Sequence, residues 1–215
     1  MKKLSFSLSI LFIVFTVLPS SAQIRLGVIG GLNLANFDID PSIEGAEFKN
    51  RSAFGFGGVF DYGLNGSISF HVEPMYLQKG SKAMLKAAGI EARDYEFKLA
   101  YIELPVMLKY SFGLENIKPY IMIGPTVSYL LSSKVTVTKG DDSIEEDRKD
   151  KTKNIDFGLG FGGGVSISMG NNSIFVEARY APGLTNINDD PNDPDTEIKT
   201  KGIQIFAGIT FPIGK

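Results

Sequence analysis

Apolar residues alternate with polar or small ones along most of this chain, and no stretch of ten or more residues carries a helical period. The clearest case is Ser67-Ile68-Ser69-Phe70-His71-Val72-Glu73-Pro74-Met75-Tyr76. One face holds Ile68, Phe70, Val72 and Tyr76, the other Ser67, Ser69, His71 and Glu73. Side chains that alternate this way belong to a strand lying between two different environments. The pattern predicts strands over roughly 24 to 34, 53 to 63, 67 to 79, 96 to 111, 118 to 131, 154 to 169, 173 to 182 and 199 to 212.

The connections between these strands alternate in length. Gly63-Leu64-Asn65-Gly66, Gly113 to Ile117 and Gly170-Asn171-Asn172 read as tight turns, whereas 35 to 52, 80 to 95, 132 to 153 and 183 to 198 read as long polar loops. Short turns at one end and long loops at the other are the plan of an outer-membrane barrel. The expected fold is therefore all-β: a closed antiparallel up-and-down transmembrane barrel of about eight strands, with short periplasmic turns and long extracellular loops.

Which face meets lipid follows from the apolar set. Ile24, Leu26, Val28, Leu32; Phe54, Phe56, Phe60, Tyr62; Ala100, Ile102, Leu104, Val106, Leu108; Ile121, Ile123, Val127; Phe157, Leu159, Phe161, Val165, Ile167; Ile174, Val176, Ala178; and Ile203, Ile205, Ala207, Ile209 contain no charge. The alternate positions hold Arg25, Asp61, His71, Glu73, Glu103, Lys109, Glu177, Arg179 and Gln204. Alternation alone does not separate lipid outside from a soluble lipocalin-like ligand-binding barrel with its greasy face inward. Three features favour lipid. Tyr76, Tyr129 and Tyr180 near the long-loop ends, and Tyr62, Tyr110 and Phe211 near the short-turn ends, form two interfacial aromatic girdles. Each apolar stripe also runs about ten residues, the length of a tilted membrane strand. Finally, mid-strand polar positions carry both charge signs, which an enclosed lumen can pair: Glu73, Glu103 and Glu177 with Arg25, Lys109 and Arg179.

Pro74, Pro105 and Pro125 fall inside expected strands, where a missing amide donor commonly marks a bulge. Lys201 falls on the outward side, which suits only an interfacial position.

The amino terminus adds the route of export. Lys2 and Lys3 precede an apolar run from Leu4 to Leu18 and then Pro19-Ser20-Ser21-Ala22, the design of a secretory signal peptide over 1-22, leaving 23-215 as the barrel domain. The run is shorter than the ~20 residues of a spanning helix. Lys plus Arg number 22 against 24 Asp plus Glu, and loss of Lys2 and Lys3 makes the mature chain more acidic, so nucleic acid is no partner. There is no cysteine, and an exported protein without disulfides needs another source of stability. A barrel closed in lipid supplies one, because every backbone polar group is paired between strands.

Phe70-His71-Val72-Glu73-Pro74-Met75-Tyr76, Tyr101-Ile102-Glu103-Leu104-Pro105-Val106-Met107-Leu108-Lys109-Tyr110 and Phe175-Val176-Glu177-Ala178-Arg179-Tyr180 go beyond generic alternation. Together they resemble the PorT-like outer-membrane β-barrel family, in which a signal peptide and glycine-rich first hairpin precede a Glu-Pro, a Glu-Leu-Pro and a Glu-x-Arg-Tyr in that order. The resemblance implies an eight-stranded outer-membrane barrel, and its founding member is tied to protein secretion. The chain departs from many such barrels by continuing past Phe211 through Pro212-Ile213-Gly214-Lys215.

Candidate chemistry is sparse. Ser69, His71 and Glu73 offer a nucleophile, a base and an orienter on one face, the set a lipid-modifying acyl hydrolase or transferase would need. Same-face neighbours stand ~7 Å apart at Cα, however, and this face is the lumen; packed polar side chains are the simpler reading, and no enzyme is expected. Gly158-Leu159-Gly160-Phe161-Gly162-Gly163 matches a dinucleotide fingerprint by letters, but alternation continues through Val165 to Met169 where that site needs a helix. Inward glycines there leave room for Tyr120, Met122 or Phe175. The acidic loop from Asn186 to Glu197 offers hard oxygens to calcium but lacks the EF-hand pattern; a solvated loop is the alternative.

The expectation is thus a small integral outer-membrane barrel with its lumen packed rather than open, in a structural or secretion and surface-interaction role. It needs no cofactor or metal. Its partners are outer-membrane lipid, the outer-membrane assembly machinery and an extracellular or secretion-system protein.

Overall fold

The computed structural model describes residues 23–42, 45–85, 93–113, 116–140 and 142–213. The signal peptide expected over 1-22 falls on residues outside those described. Eleven strands occur among them: β1 Ile24–Asp40, β2 Ala46–Lys49, β3 Arg51–Gly63, β4 Ile68–Val72, β5 Met75–Leu85, β6 Arg93–Ser111, β7 Ile117–Lys139, β8 Asp142–Asp147, β9 Ile155–Met169, β10 Asn172–Pro182 and β11 Glu197–Ile213. Every pairing is antiparallel. Among the described residues no helix is long and apolar enough to cross a membrane.

The pairings return to their start. β1 pairs with β3 on one side and β11 on the other; β3 pairs with β4 and β5, both of which pair with β6; β6 then leads through β7, β9 and β10 back to β11. β2 adds only to β5, and β8 only to β7.

Eleven strands replace the eight or so expected, for two physical reasons. First, β4 and β5 are collinear halves separated at Glu73-Pro74. Phe60↔Val72 and Gly57↔Met75 keep one register against β3, and Val72↔Val106 and Met75↔Glu103 keep one register against β6. Pro74 and Pro105 remove ladder donors without inserting a residue, and Glu73 N–H still reaches Pro105 O at 3.2 Å. The bulges expected at the prolines are therefore absent, and the register also holds across Pro125, from Pro105↔Thr126 to Leu108↔Ile123. Second, β2 and β8 form in stretches whose composition reads as loop.

The register shift lies elsewhere, between Ala100 and Tyr101, where Leu131 on β7 has no partner. It reverses the facing of β7: Leu130 and Val135 are both buried, Tyr129 and Lys134 both exposed. Ala100, expected on the outward face, is buried beside this shift. Strands also run farther than expected at the long-loop end, β1 to Asp40 and β7 to Lys139. The short connections hold as expected. Asn65 closes one turn by accepting the amides of Ser67 and Ile68, and Gly170 (φ +63°) occupies the left-handed region in another.

Between the two aromatic girdles the apolar face points outward. Val28, Phe56, Ile121, Ile123 and Val176 are each more than half exposed, whereas His71, Glu73, Glu103, Asp156, Glu177 and Arg179 are buried. A soluble barrel has the opposite arrangement. Tyr76 and Tyr129 flank Ile102 on either side of β6, and Ile68 and Ile121 flank Tyr110. From Ile102 to Tyr110 the strand covers about 26 Å, or ~20 Å along a membrane normal at a tilt of ~40°.

Above the upper girdle the arrangement inverts. Phe37, Leu99 and Val135 turn inward and are buried with Ile187, while Asp38, Lys134 and Glu197 are exposed on the outside. Lys201, expected outward at an interface, lies here, 3.1 Å from Asp38.

Candidate functional site: the charged lumen

Two layers of ionisable side chains cross the interior. In the lower layer, His71 on β4 is held at both nitrogens: Nδ1 lies 2.6 Å from Asp61 Oδ1 on β3 and Nε2 lies 2.6 Å from Glu73 Oε1. A ring facing a carboxylate oxygen on each side donates twice as the imidazolium. Arg179 Nη2 on β10 donates to Glu73 and, at 2.8 Å, to Glu177 Oε1; Tyr120 Oη on β7 donates to Glu177 Oε2 at 2.7 Å. Lys109 on β6 stands 3.6 Å from Asp61 and 4.2 Å above the Tyr120 ring. The Arg179 guanidinium stacks 5.1 Å from the Phe206 ring of β11.

The upper layer centres on Lys79 of β5. Its Nζ lies 2.8 Å from Glu103, 3.1 Å from Asp156 and 3.1 Å from Ser128 Oγ. Ser128 in turn donates to Glu103 at 2.7 Å, and Thr200 donates to Asp156 at 2.9 Å. Burying a lone charge costs several kcal/mol, and each of these ions lies within 4 Å of an opposite charge.

Of the expected lumen residues, Asp61, His71, Glu73, Glu177, Arg179 and Lys109 come together in one layer and Glu103 stands in the other. The expected pairing changes. Among the described residues Arg25 meets no glutamate; it lies at the short-turn end and donates to Thr210, Ser173 and the carbonyl of Asn171. Lys109 pairs with Asp61, and Glu103 takes Lys79. Lys79 and Asp156 were not among the expected set, because both sit at strand ends that composition blurs into loop. Facing parity supplies the missing signal for Lys79: His71, Met75, Leu77 and Lys79 are all buried on one face, uninterrupted by Pro74.

The glycine stripe of β9 makes room for these groups. A Cβ on Gly164 would stand 2.6 Å from the Tyr120 hydroxyl, and one on Gly162 would meet Arg179. Gly160 lies under Met107, a neighbour the pattern did not name. The fingerprint-like Gly158 to Gly163 lies inside β9, which continues to Met169. Replacing Tyr120 with Phe removes the donor to a buried carboxylate and is expected to cost about 1–3 kcal/mol. Urea unfolding of the vesicle-refolded protein measures it, and an unchanged midpoint would remove Tyr120 from the network.

Geometry also limits the chemistry. Both His71 nitrogens are engaged by carboxylates, which leaves none for Ser69. Ligand atoms of His71, Glu73 and Glu177 lie within 4.8 Å of one another, yet the Arg179 guanidinium already holds the cation's place between the two glutamates. In the acidic loop, Asp190 receives Arg148 at 3.4 Å, Lys151 at 3.2 Å and the Asn192 amide at 3.0 Å. That amide, with Lys151, holds the Asp190 carboxyl below its ordinary range. Asp193 accepts from Thr196 at 2.7 Å. The carboxylates of Asp190 and Asp193 are thus engaged within the chain.

The chain is similar to Neisserial surface protein A (16% identity, 89% of this chain and 99% of that one, TM-score 0.45). It is similar to OprG from Pseudomonas aeruginosa (11%, 90% and 96%, TM-score 0.48) and to Ail of Yersinia pestis in complex with the heparin analogue sucrose octasulfate (14%, 88% and 97%, TM-score 0.38). No curated protein matches it. The family model of the outer membrane protein beta-barrel domain matches residues 19–189. The chain belongs to the outer membrane protein beta-barrel domain family and is a protein of the outer membrane.

Proposed function

We propose that the chain is a closed transmembrane barrel of eight strand positions whose lumen is plugged, and that it acts through its loop end as a structural or secretion-associated surface component rather than as a pore or an enzyme. The observation that carries this reading is the pair of ion-pair layers. Side chains from β3, β4, β6, β7 and β10 meet in the lower one, and side chains from β5, β6, β7, β9 and β11 in the upper. An eight-position barrel is just wide enough for side chains to fill it. The cyclic pairing supports closure, with β4 and β5 sharing one position and β2 and β8 lying above the ring. The short turns face the periplasm and the long loops the exterior, as in barrels of this kind. The ordered PorT-like motifs favour a place beside secretion machinery.

Planar-bilayer recording of the refolded protein tests the plug. No discrete conductance steps are expected from the wild type; stable steps that scale with protein added would overturn the reading.

A further inference from the structure

The inversion above the upper girdle divides the molecule into two tiers of opposite character. Below it, apolar side chains face out and charges face in. Above it, Phe37, Phe97, Leu99, Val135 and Ile198 face the axis, and Asp38, Lys98, Lys134 and Lys199 face outward. This upper tier has the patterning of a water-soluble barrel. Its centre is not filled: a cavity of about 230 Å³ lies among Phe37, Phe97, Leu99, Val135, Ile187 and Ile198. Tyr101 and Leu130 close its floor above the Lys79 layer. The segment 183–196 forms part of its wall, held by Lys153 N–H to Ile187 O at 2.8 Å, Ile187 N–H to Ile198 O at 2.8 Å and the Thr152–Asn188 bridge.

We propose that this cup is a binding site for one small, uncharged, predominantly apolar molecule taken from the exterior. The chemistry follows from the walls. Apolar cavities stay dry, and one of ~150 Å³ suffices for benzene, so the present volume suits a bicyclic aromatic or a short aliphatic chain. The charged rim is balanced: Arg148 and Lys151 are both bound to Asp190, with Asp193 beside them, which leaves no excess charge for an ionic ligand. The polar side chains of the lining are engaged within the chain, Ser133 and Thr152 with each other at 2.9 Å and Asn188 with the carbonyls of Asp193 and Thr196, which favours a ligand with little polarity of its own. Because the ion-pair layers lie beneath, the cup is a dead end: the molecule is held there and does not pass through. The inference rests on the exterior placement of the long loops proposed above, but its test is separate, since conductance reports on the lumen and ligand binding on the cup.

The chain has no tryptophan, so indole can serve as its own fluorescent reporter, excited beyond tyrosine absorption. Indole titrated into the full protein in nanodiscs is expected to show a saturable rise in anisotropy above empty nanodiscs. Filling the cup with Val135→Phe and Ile198→Phe should weaken binding at least ~10-fold, while Val165→Phe on the lipid face should leave it unchanged. The cup-filled variant counts only if it keeps heat-modifiable gel mobility. If it does not, nuclear Overhauser contacts from indole to the methyls of Leu99, Val135 and Ile187 in the wild type decide instead. No saturable rise, equal binding by a folded cup-filled variant, or contacts confined to lipid-facing methyls would overturn the proposal.

Discussion

Replacing Arg179 with Met is expected to destabilise the barrel by about 3–5 kcal/mol, the usual result of removing one partner from a buried ion pair. Arg179 is 3% exposed and donates to both Glu73 and Glu177; without it, two buried carboxylates confront each other with no charge between them. His71 compensates only one of them, since its Nε2 reaches Glu73 and its Nδ1 is committed to Asp61. Adding Glu177→Gln to the Met variant removes one of the stranded charges and is expected to recover part of the loss. The two sites should therefore show a coupling of more than ~1 kcal/mol in a double-mutant cycle. Urea unfolding in lipid vesicles measures both quantities. A Met variant within ~0.5 kcal/mol of wild type would mean that the lower layer does not hold the barrel together.

The second large effect concerns the outside of the molecule. Ile123 on β7 is 58% exposed in the band between the girdles, and Ile144 on β8 is 71% exposed above them. In water the two substitutions Ile123→Arg and Ile144→Arg would be equally innocuous, because exposed positions tolerate charge. In a membrane they separate. Arg costs ~2–4 kcal/mol at the midplane of a lipid-facing band and less toward its edges. At Ile123, two residues from the level of Tyr110, about 1–2 kcal/mol is therefore expected, whereas Arg on the β8 hairpin should cost less than ~0.5 kcal/mol. Equal, small effects in vesicle unfolding would refute lipid contact at Ile123, whatever the shape of the barrel.

Much of this was legible in the chain because a two-residue period leaves little freedom. Once Ile68, Phe70 and Val72 are placed on one face, His71 and Glu73 go to the other, and the same rule assigns Glu103, Lys109, Glu177 and Arg179 to the lumen. The rule failed where its premise changed. The register passes through Pro74 unaltered, so the parity that places Tyr76 outward also runs inward from Glu73 through Met75 and Leu77 to Lys79. It gives out where the outward face becomes polar. Asn36, Asp38 and Asp40 suggest a loop to any reading that expects grease outside, and so Phe37 and Ile39 were not recognised as inward strand positions. The Leu131 shift is harder still, since nothing in Tyr129-Leu130-Leu131-Ser132 distinguishes an inserted residue from a regular one. Partner choice within the lumen was the least accessible level. Parity puts Arg25 and Glu73 on the same side of the wall but says nothing of their height along the axis, and height is what separates Arg25 at the turn end from the carboxylates above it.

The inverted patterning above the upper tyrosines also fixes how the protein meets bilayers of different thickness. A thicker hydrocarbon layer would rise past Tyr76 and Tyr129 and submerge Lys98 and Lys134, whose partner Glu145 binds them at 3.5 and 2.6 Å. A thinner one would strand Ile102 and Ile203 in water. Mismatch of this kind costs fractions of a kcal/mol per ångström and is commonly relieved by tilting. Here tilting would dip one side of the charged collar into lipid while lifting the other clear, so the collar resists it, and the barrel is held upright at a single depth in a membrane of matched thickness.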